Sequence, residues 1–503
     1  MVAVTHTVAF EGIEARDVEV QCAVSPGLPG FSIVGLPDKA VSEARERVRA
    51  ALSTMAIALP SKKITINLSP ADIPKEGSHF DLPIALALLA EIDILPRDKV
   101  AELTALGELA LDGGLVPVLG ALPAAMAAAE EDRTLICPLA CGAEAAWVGA
   151  CGVFAPRSLA EAIGHITGRS PLPSAVPGEV GAISGGPDMA EVKGQERAKR
   201  ALEIAAAGRH HLLMVGAPGS GKSMLAARLP GLLPPLTAAE ALETSMVHSL
   251  AGLMDEGGIS RIRPFREPHH TASMAAIVGG GRTAKPGEIS LAHNGVLFMD
   301  EFPEFTRQVL ETLRQPIETG EVVVARANAH VRYPCRFLLI AAANPCRCGY
   351  LAEPARACAR VPACGEEYLG RISGPLMDRF DLRVEVPPVA WSDLDMPATG
   401  ETSEVIAARV AAARALQSKR FEGLDKVRVN ADASGALLES IAPLDADGRE
   451  LLARAAERMG LTARGYHRVL RVARTIADLA GAEDITRSHL AEAVSFRLSY
   501  GSG

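Results

Sequence analysis

The chain has 503 residues, 48% hydrophobic and 22% charged, a composition that excludes a protein disordered as a whole and a length that favours two to four domains. Lys and Arg total 51 against 60 Asp and Glu, so the formal charge of −9 excludes a uniformly basic nucleic-acid-binding protein but leaves room for a local basic surface. With 12 Phe, 5 Tyr and 2 Trp, the chain is also poor in the aromatic platforms on which single-stranded nucleic acid stacks.

The amino end shows neither the basic segment nor the apolar core of a signal peptide. The uncharged stretch at residues 115–129 is too short for a membrane span and contains Pro117 and Pro123. Nine cysteines in a chain of this length do not indicate a disulfide framework. We therefore expect a cytoplasmic protein without a transmembrane helix.

The pattern of apolar residues divides the chain into three units. Residues 1–167 mix strand-like and helical runs, which is typical of an α/β or α+β domain. A stretch rich in Pro, Gly and Ser at residues 168–188 predicts a linker. Strands and helices alternate again in residues 189–395, and helical periodicity dominates residues 396–503. The sequence therefore predicts an α/β multidomain protein with a helical carboxyl-terminal domain.

Residues 216–223 carry a phosphate-binding loop that matches G-x-x-x-x-G-K-[ST] at every fixed position. The loop follows an apolar strand-like run and opens a helical run, which an ordinary glycine-rich turn would not explain. Its glycines let backbone N–H groups face phosphates, Lys222 reaches the β- and γ-phosphates, and Ser223 ligates Mg²⁺. We predict that ATP is held by Gly216, Ala217, Pro218, Gly219, Ser220, Gly221, Lys222 and Ser223.

Two further apolar runs end in polar residues that suit the same site. The first, at 296–299, is followed by Asp300, predicted to hold Mg²⁺, and by Glu301, predicted to orient and deprotonate the attacking water. The second ends at Asn344, which would bind the γ-phosphate or the attacking water. A plain strand-end turn before Pro345 is the alternative for Asn344.

The sequence of residues 321–333 predicts two short strands around an Ala-Asn-Ala turn. Arg326, His330 and Arg332 lie on or beside this turn, and their positive charge suits contact with a nucleic-acid phosphate backbone. A surface hairpin with ordinary charges is the alternative interpretation.

Four cysteines fall within one loop of nineteen residues, spaced C-x-C-x₉-C-x₅-C. Cys346, Cys348, Cys358 and Cys364 offer enough thiolates for a structural tetrahedral Zn²⁺ site. The spacing is irregular, so free cytosolic thiols remain the alternative.

The order of these motifs resembles an AAA+ ATPase of the magnesium-chelatase branch. The phosphate loop, the Asp-Glu strand and the Asn-ended strand are followed by GPLMDRFD at 374–381. Residues 263–270, 286–296 and 461–468 are similar to the bacterial ComM/YifB group of magnesium-chelatase-like proteins, and the resemblance covers nearly the whole chain. It implies a Mg²⁺-dependent ATPase core with a helical lid, assembled as a homo-hexameric ring whose hairpin at 321–333 faces the pore.

The resemblance gives roles to two arginines. Arg379 matches the arginine finger, which reaches into the ATP of the neighbouring subunit, and Arg464 matches the second sensor on the helical lid. The alternatives are a salt bridge to Asp378 or Asp381 for Arg379 and a solvated helix face for Arg464.

Residues 1–167 resemble the proteolytic domain of Lon. The serine position of that family falls on His79 and its lysine position on Ala124 when the segments are aligned by eye. Ser78 is adjacent, but a serine–lysine dyad needs an amine base, which Ala124 does not provide. We predict a non-proteolytic scaffold or docking domain whose protein partner the sequence does not identify.

The resemblance also implies a polymer substrate. Proteins of the ComM type are associated with DNA branch migration in natural transformation, so we expect a motor that translocates on single-stranded or branched DNA. A protein-remodelling AAA+ chaperone is the alternative. The motor subunit of a metal chelatase is a third reading, and nothing in the sequence indicates a porphyrin site for it.

Overall fold

The structure is a computed structural model that describes residues 2–180, 186–254, 258–281, 284–325, 330–351, 356–389, 400–424 and 426–497, with the backbone alone for Ala325 and His330. The predicted fold class, an α/β multidomain chain with a helical carboxyl-terminal region, is confirmed. The predicted boundaries between the units stay predictions, and the one at 395 lies outside the described residues.

The amino-terminal unit is built on one mixed sheet. The strands of the whole unit are β1 (Ala3–Glu11), β2 (Glu14–Ser25), β3 (Gly30–Val34), β4 (Lys63–Ser69), β5 (Leu103–Ala105), β6 (Glu108–Leu109), β7 (Leu115–Val116), β8 (Thr134–Ile136) and β9 (Val153–Phe154). Its helices are α1 (Lys39–Thr54), α2 (Asp81–Glu91), α3 (Arg97–Ala101), α4 (Ala121–Glu130), α5 (Leu139–Ala145) and α6 (Leu159–Ile166). Within the described residues the sheet order is β3-β4-β2-β1-β5-β8-β9, with β1–β2 and β2–β4 antiparallel and the other pairs parallel.

Helix α2 forms the centre of this unit because it is apolar on every side. All residues from Asp81 to Ala90 are buried, and the helix packs against β1, β2 and α1. The Asp81 carboxylate is satisfied by the Arg47 guanidinium, with a shortest contact of 2.5 Å, and by the backbone N–H of Leu109 at 3.0 Å. A buried charge is thus paired at the start of the helix.

The first part of the predicted linker lies on the amino-terminal unit. Residues 171–180 contain no helix or strand, yet the N–H of Ala175 donates to the Val153 carbonyl at 2.8 Å and that of Gly178 to Ala143 at 3.2 Å. These bonds extend the edge of the amino-terminal unit and leave a shorter connection to the next one.

The central unit is built on a parallel sheet. The strands of the whole unit are β10 (Leu212–Val215), β11 (Phe265–Arg266), β12 (Gly279–Gly280), β13 (Lys285–Pro286), β14 (Val296–Met299), β15 (Glu321–Ala325), β16 (His330–Pro334), β17 (Leu338–Ala343) and β18 (Leu382–Glu385). Its helices are α7 (Glu196–Gly208), α8 (Lys222–Ala226), α9 (Ala238–Ala251), α10 (Met274–Val278), α11 (Glu288–Leu291), α12 (Arg307–Thr312), α13 (Arg314–Thr319), α14 (Ala363–Leu369) and α15 (Gly374–Met377). The sheet order is β11-β14-β17-β10-β18 in the described part of the chain, with every pair parallel.

This sheet gathers the predicted site at one edge. β10, β14 and β17 are buried along their whole length, as expected for strands covered on both faces. Because parallel strands end at the same edge, the residues that follow β10, β14 and β17 meet there. These are the phosphate loop, Asp300 with Glu301, and Asn344.

The carboxyl-terminal unit is helical. Its helices are α16 (Ser403–Arg420), α17 (Gly435–Ile441), α18 (Ala446–Met459), α19 (Ala463–Leu479) and α20 (Arg487–Ser495). α16 and α19 pack against α7, and Val410 and Val469 join the apolar cluster that includes Leu212 and Leu382 of the sheet. No helix in the described part of the chain combines the length and the apolar character that a bilayer crossing requires.

The amino-terminal and central units touch through α4 and α9. The Glu144 carboxylate accepts hydrogen bonds from the Ser249 hydroxyl and, at 3.0 Å, from the Leu122 N–H. Burial raises the pKa of Glu144, although both hydrogen bonds oppose that shift. A second approach brings Gly12 against the carbonyl of Arg332, where an added Cβ would lie 2.3 Å from that oxygen.

Candidate nucleotide site

The phosphate loop adopts the conformation that its glycines permit. Gly219 and Gly221 have φ values of +76° and +93°, in the region that side-chain-bearing residues avoid. Gly221 immediately precedes α8, so the loop runs directly into a helix N-terminus whose free N–H groups favour an anion. The geometry is that of a phosphate cradle.

Lys222 lies at the centre of the loop and is 7% exposed. Its ammonium donates to the carbonyls of Gly216 at 2.8 Å and Ala217 at 3.0 Å and to Asn344 Oδ1 at 3.2 Å. Burial lowers the pKa of Lys222, while the charges of Asp300 and Glu301 act in the opposite direction. The structure therefore brings predicted site residues from the phosphate loop and from the ends of two strands into the surroundings of a single cation.

Ser223 and Asp300 form the pair that was predicted to bind Mg²⁺. The Ser223 hydroxyl donates to Asp300 Oδ2 at 2.6 Å. Mg²⁺ prefers oxygen ligands of this kind and usually keeps several waters, so a hydroxyl and a carboxylate beside a phosphate suit it. Burial and the charge of Asp300 raise the pKa of Glu267. The donor set fits the ion.

Glu301 is held in an uncommon backbone conformation, with φ at +48°. Its N–H donates to Asp300 Oδ1 at 2.8 Å, and its carboxylate Oε2 lies 3.1 Å from His270 Nδ1. The Glu301 side chain is half exposed. It can therefore meet a water in the cleft while the imidazole fixes its direction.

Gln195 connects the start of the central unit with the phosphate loop. Its amide donates to the carbonyls of Ser220 at 3.5 Å and Pro387 at 2.5 Å, and its φ is +62°. The side chain thus links the loop to the segment that follows β18.

Arg379 lies away from the phosphate loop of its own chain. It precedes β18, at the amino edge of the sheet, and is 6% exposed. Its guanidinium donates to the carbonyls of Pro375 at 2.6 Å and Arg314 at 3.2 Å and pairs with Glu318 at 2.6 Å. The ion pair is with Glu318, and the alternative partners Asp378 and Asp381 are paired instead with Arg497 and Arg468.

Arg464 also lies at the amino edge. It is exposed in the first turn of α19 and lines a cavity of about 410 Å³ together with His211, Phe337 and Asp381. Those three residues directly precede β10, β17 and β18, whereas the phosphate loop follows β10. The structure therefore does not bring Arg464 to the phosphate loop of its own chain.

The two positions that the resemblance to Lon aligns with a serine–lysine dyad, His79 and Ala124, are buried in the amino-terminal unit. His79 is buried, its Nε2 lies 2.8 Å from the Val8 carbonyl, and burial lowers its pKa to about 4. Ala124 is fully buried, and the nearby Lys75 ammonium donates to the Pro70 carbonyl. Ser78 lines a cavity of about 270 Å³ that also touches the central unit.

The hairpin predicted at 321–333 is present as β15 and β16, which pair antiparallel from Glu321–Pro334 to Ala325–His330. Arg332 is exposed, Arg326 lies outside the described residues, and only the backbone of His330 is described. DNA contact by these three residues stays a prediction.

The four cysteines of the loop after β17 converge. The Cys346 and Cys348 sulfurs are 3.0 Å apart, and those of Cys358 and Cys364 are 3.4 Å apart. Hydrogen bonding with Cys346 and with backbone N–H groups lowers the pKa of Cys348. The sequence prediction of a four-thiol cluster agrees with this geometry, and zinc itself stays a prediction.

Sequence reasoning did not identify the roles of His270, Glu267, Gln195 and Glu318. His270 and Glu267 belong to the segment 263–270. Its similarity to the family drew attention to the segment but assigned no role to either residue. The pairing of β11 with β14 brings that segment beside Glu301, and this adjacency is a property of the sheet order.

Comparison with known families places every unit in one lineage. The family described as "Magnesium chelatase, subunit ChlI" matches residues 188–394, "Subunit ChlI of Mg-chelatase" matches 18–140, and "Magnesium chelatase, subunit ChlI C-terminal" matches 400–497.

Individual relatives extend the match to the full chain. Competence protein ComM of Haemophilus influenzae is 44% identical over 501 residues, which cover 98% of this chain and 97% of the relative. The protein YifB of Escherichia coli is 43% identical over 498 residues, with 98% and 97% coverage. The magnesium-chelatase 38 kDa subunit of Rhodobacter capsulatus is 28% identical over 350 residues, 61% of this chain and 86% of the subunit. With its phosphate loop, its Asp-Glu strand and this full-length similarity, the chain belongs to the ComM/YifB family of magnesium-chelatase-like AAA+ proteins.

Proposed function

We propose that the protein is a Mg²⁺-dependent ATP hydrolase. The observation that carries the proposal is the meeting of Lys222, the Ser223–Asp300 pair and Glu301 at one edge of the sheet. Lys222 exchanges carbonyl partners for phosphate oxygens, and Glu301, directed by His270, accepts the proton of the attacking water. Ser223 and Asp300 would hold Mg²⁺, and the ion would supply positive charge beside the phosphates.

The catalytic site is completed by a neighbouring subunit in a homo-hexameric ring. Arg379 and Arg464 lie at the amino edge, while the phosphate loop lies at the carboxyl edge of the same sheet. In a head-to-tail ring, the amino edge of one subunit is available to the nucleotide of the next. For Arg379 to act there, its guanidinium has to leave Glu318 for the γ-phosphate.

The motor acts on DNA, as a branch-migration helicase in natural transformation or recombination. Support comes from the name of the Haemophilus relative, a competence protein, and from the exposed position of Arg332 on the β15–β16 hairpin. Arg326 and His330 would add to the same surface. Since the net charge is −9, DNA would be gripped locally, through its backbone and with strong salt dependence.

The protein works in the cytoplasm in this proposal. All nine cysteines are free thiols, six of them buried in the core of the fold or in the Cys loop, and reduced thiols are typical of that compartment.

A chelatase motor is the second candidate, because a magnesium-chelatase subunit is among the relatives. That similarity is 28% over 61% of this chain, against 44% over 98% for the competence protein. The higher identity and coverage support a competence-related role over chelation.

The test is ATP hydrolysis by the full chain with and without single-stranded and branched DNA. We expect DNA to stimulate hydrolysis by the native protein. Glu301→Gln should lose turnover, because no carboxylate remains to accept the proton, and should retain DNA in the presence of ATP. Glu439→Gln, at an exposed position of α17, is the matched control and should behave as the native protein.

Two results would decide against parts of this proposal. Hydrolysis that no DNA stimulates, together with failure of the Glu301→Gln variant to retain DNA, would favour a protein-remodelling chaperone. Unchanged turnover in the Glu301→Gln variant would contradict the assignment of the site itself.

A further inference from the structure

The loop between β17 and α14 brings sulfur atoms from distant positions together. Within the described residues, the thiol sulfurs of Cys346, Cys348 and Cys364 all lie within 4.8 Å of one another. Cys358 joins them through its 3.4 Å contact with Cys364. Three of the sulfurs therefore form a compact group, and Cys358 adjoins that group at Cys364.

The spacing of these sulfurs is close to that of a metal site. A tetrahedral Zn²⁺ bonded to sulfur at about 2.3 Å separates its ligand atoms by about 3.8 Å. The 3.0 Å between Cys346 and Cys348 and the 3.4 Å between Cys358 and Cys364 need only small outward movements of the side chains to reach that value. Both distances are far longer than a disulfide bond of about 2.05 Å.

The loop has little else to hold its shape. Residues 344–351 and 356–362 contain no helix or strand. Loops of this length inside a compact unit are uncommon unless they carry a function or a cross-link. Cys346 and Cys364 are nevertheless buried, which requires the two ends of the loop to stay together.

The loop also touches the nucleotide site. Gly349 approaches the phosphate loop so closely that an added Cβ would lie 2.5 Å from the Pro218 ring. Cys346 follows Asn344, the acceptor of the Lys222 hydrogen bond, after a single intervening residue. An ordered Cys loop therefore constrains both sides of the cradle around Lys222.

We propose that Cys346, Cys348, Cys358 and Cys364 bind one structural Zn²⁺, which fixes this loop against the phosphate loop. Four thiolates leave no open coordination position, so the ion is structural and not catalytic. Binding would release the thiol protons and stabilise the loop by the free energy of metal binding. The proposal is independent of what the ATPase acts on, because its first readout is the metal.

The metal is measured directly on the full chain purified without a metal-chelating step. We expect about one Zn²⁺ per chain by mass spectrometry of the metal content. Cys358→Ser and Cys364→Ser should lower that content at least several-fold, and Cys151→Ser, at a partly exposed thiol outside the cluster, should leave it unchanged. Replacement by Co²⁺ should give the visible absorption of a tetrahedral thiolate site.

Folding is monitored separately, by circular dichroism and thermal unfolding, because a serine variant can lose zinc by unfolding. Native protein that is folded but contains no stoichiometric zinc, and that gains no thiolate spectrum with Co²⁺, would overturn the proposal. So would folded Cys358→Ser and Cys364→Ser variants that both keep a full equivalent of zinc.

The contact with the phosphate loop has its own readout. In excess Mg²⁺, the zinc-free Cys358→Ser variant should bind a non-hydrolysable ATP analogue several-fold more weakly than Cys151→Ser does. Equal affinity in the two folded variants would contradict the clamping role of the loop. Loss of DNA stimulation, by contrast, would bear on the proposed function and leave the zinc site untouched.

Discussion

At the scale of single residues, the predicted catalytic side chains hydrogen-bond to the phosphate loop and to one another. Lys222 donates to two loop carbonyls and to Asn344, and Ser223 donates to Asp300. These hydrogen bonds hold the side chains in place. Contacts with a substrate would replace them with bonds of similar strength.

His270 is a positioning residue for Glu301 in this arrangement. Removing its imidazole with His270→Ala should lower kcat by about 10-fold, because the carboxylate loses its fixed direction, and should leave the KM for ATP nearly unchanged. His270→Asn should recover part of the rate, since its amide can still donate. Steady-state ATPase kinetics measure both parameters.

The matched control for this prediction is His269→Ala. His269 is exposed, its Nδ1 lies 2.8 Å from the Thr271 hydroxyl, and its ring centroid lies 4.2 Å from that of His270, so its removal tests the loss of a neighbouring imidazole that has no ion pair with Glu301. A loss of rate as large in His269→Ala as in His270→Ala would contradict the positioning role.

The sequence could predict those site residues whose roles depend only on residues close to them along the chain. The phosphate loop needs only its own spacing, and Asp300 with Glu301 needs only the apolar run before it. The contacts of His270 with Glu301 and of Arg379 with Glu318 join residues about 30 and 60 positions apart. They follow from the pairing of β11 with β14 and from the packing of α13 near β18, which composition and periodicity do not encode.

At the scale of elements, one buried ion pair ties the helical unit to the sheet. Arg468 of α19 lies 2.6 Å from Asp381, which directly precedes β18, and both side chains are largely buried. Burial alone would raise the pKa of Asp381, but Arg468 and His210 outweigh it and hold that pKa well below the usual range. The depressed pKa makes the pair a source of stability at neutral pH.

Arg468→Met should destabilise the protein by about 3 kcal/mol at pH 7, because it leaves a buried carboxylate without its partner. The native pair contributes stability above the unfolded pKa of Asp381 and loses it as the pH falls through the lower folded pKa. The difference between native and variant should therefore shrink on acidification below about pH 4. Urea unfolding at several pH values measures it.

Arg454→Met serves as the control for that prediction. Arg454 pairs with Glu450 at 2.6 Å on the surface of α18, with both side chains about two-thirds exposed. An exposed pair of this kind contributes about 0.5 kcal/mol or less. Equal destabilisation in the two variants would show that the buried Asp381 pair stabilises the protein no more than an exposed pair does.

At the scale of the whole molecule, the two arginines taken from the family resemblance share one edge of the sheet. Arg379 and Arg464 come from different units of the chain, α15–β18 and α19, yet both lie where β10 and β18 begin. The phosphate loop lies at the other edge. In the proposed ring of identical chains, the two edges would meet at the interface between neighbouring subunits.

The net charge of −9 fits this assembly. Net negative charge discourages nonspecific nucleic-acid binding, so in the proposed DNA motor the contact would be made by a few basic residues such as Arg332. The sequence could indicate a negative net charge with a few local basic residues. It could not indicate the position of the hairpin, which lies against the amino-terminal unit where Gly12 meets Arg332.

The most direct test of the shared site is to mix Arg379→Ala and Lys222→Ala chains before assembly and to measure ATP hydrolysis. Each variant alone should be inactive, one lacking the finger and the other the phosphate ligand. In a random equal mixture, about one interface in four pairs an intact phosphate loop with an intact finger, so about a quarter of native activity should return. Thermal unfolding confirms that each variant is folded. No activity above the sum of the separate variants would contradict the account.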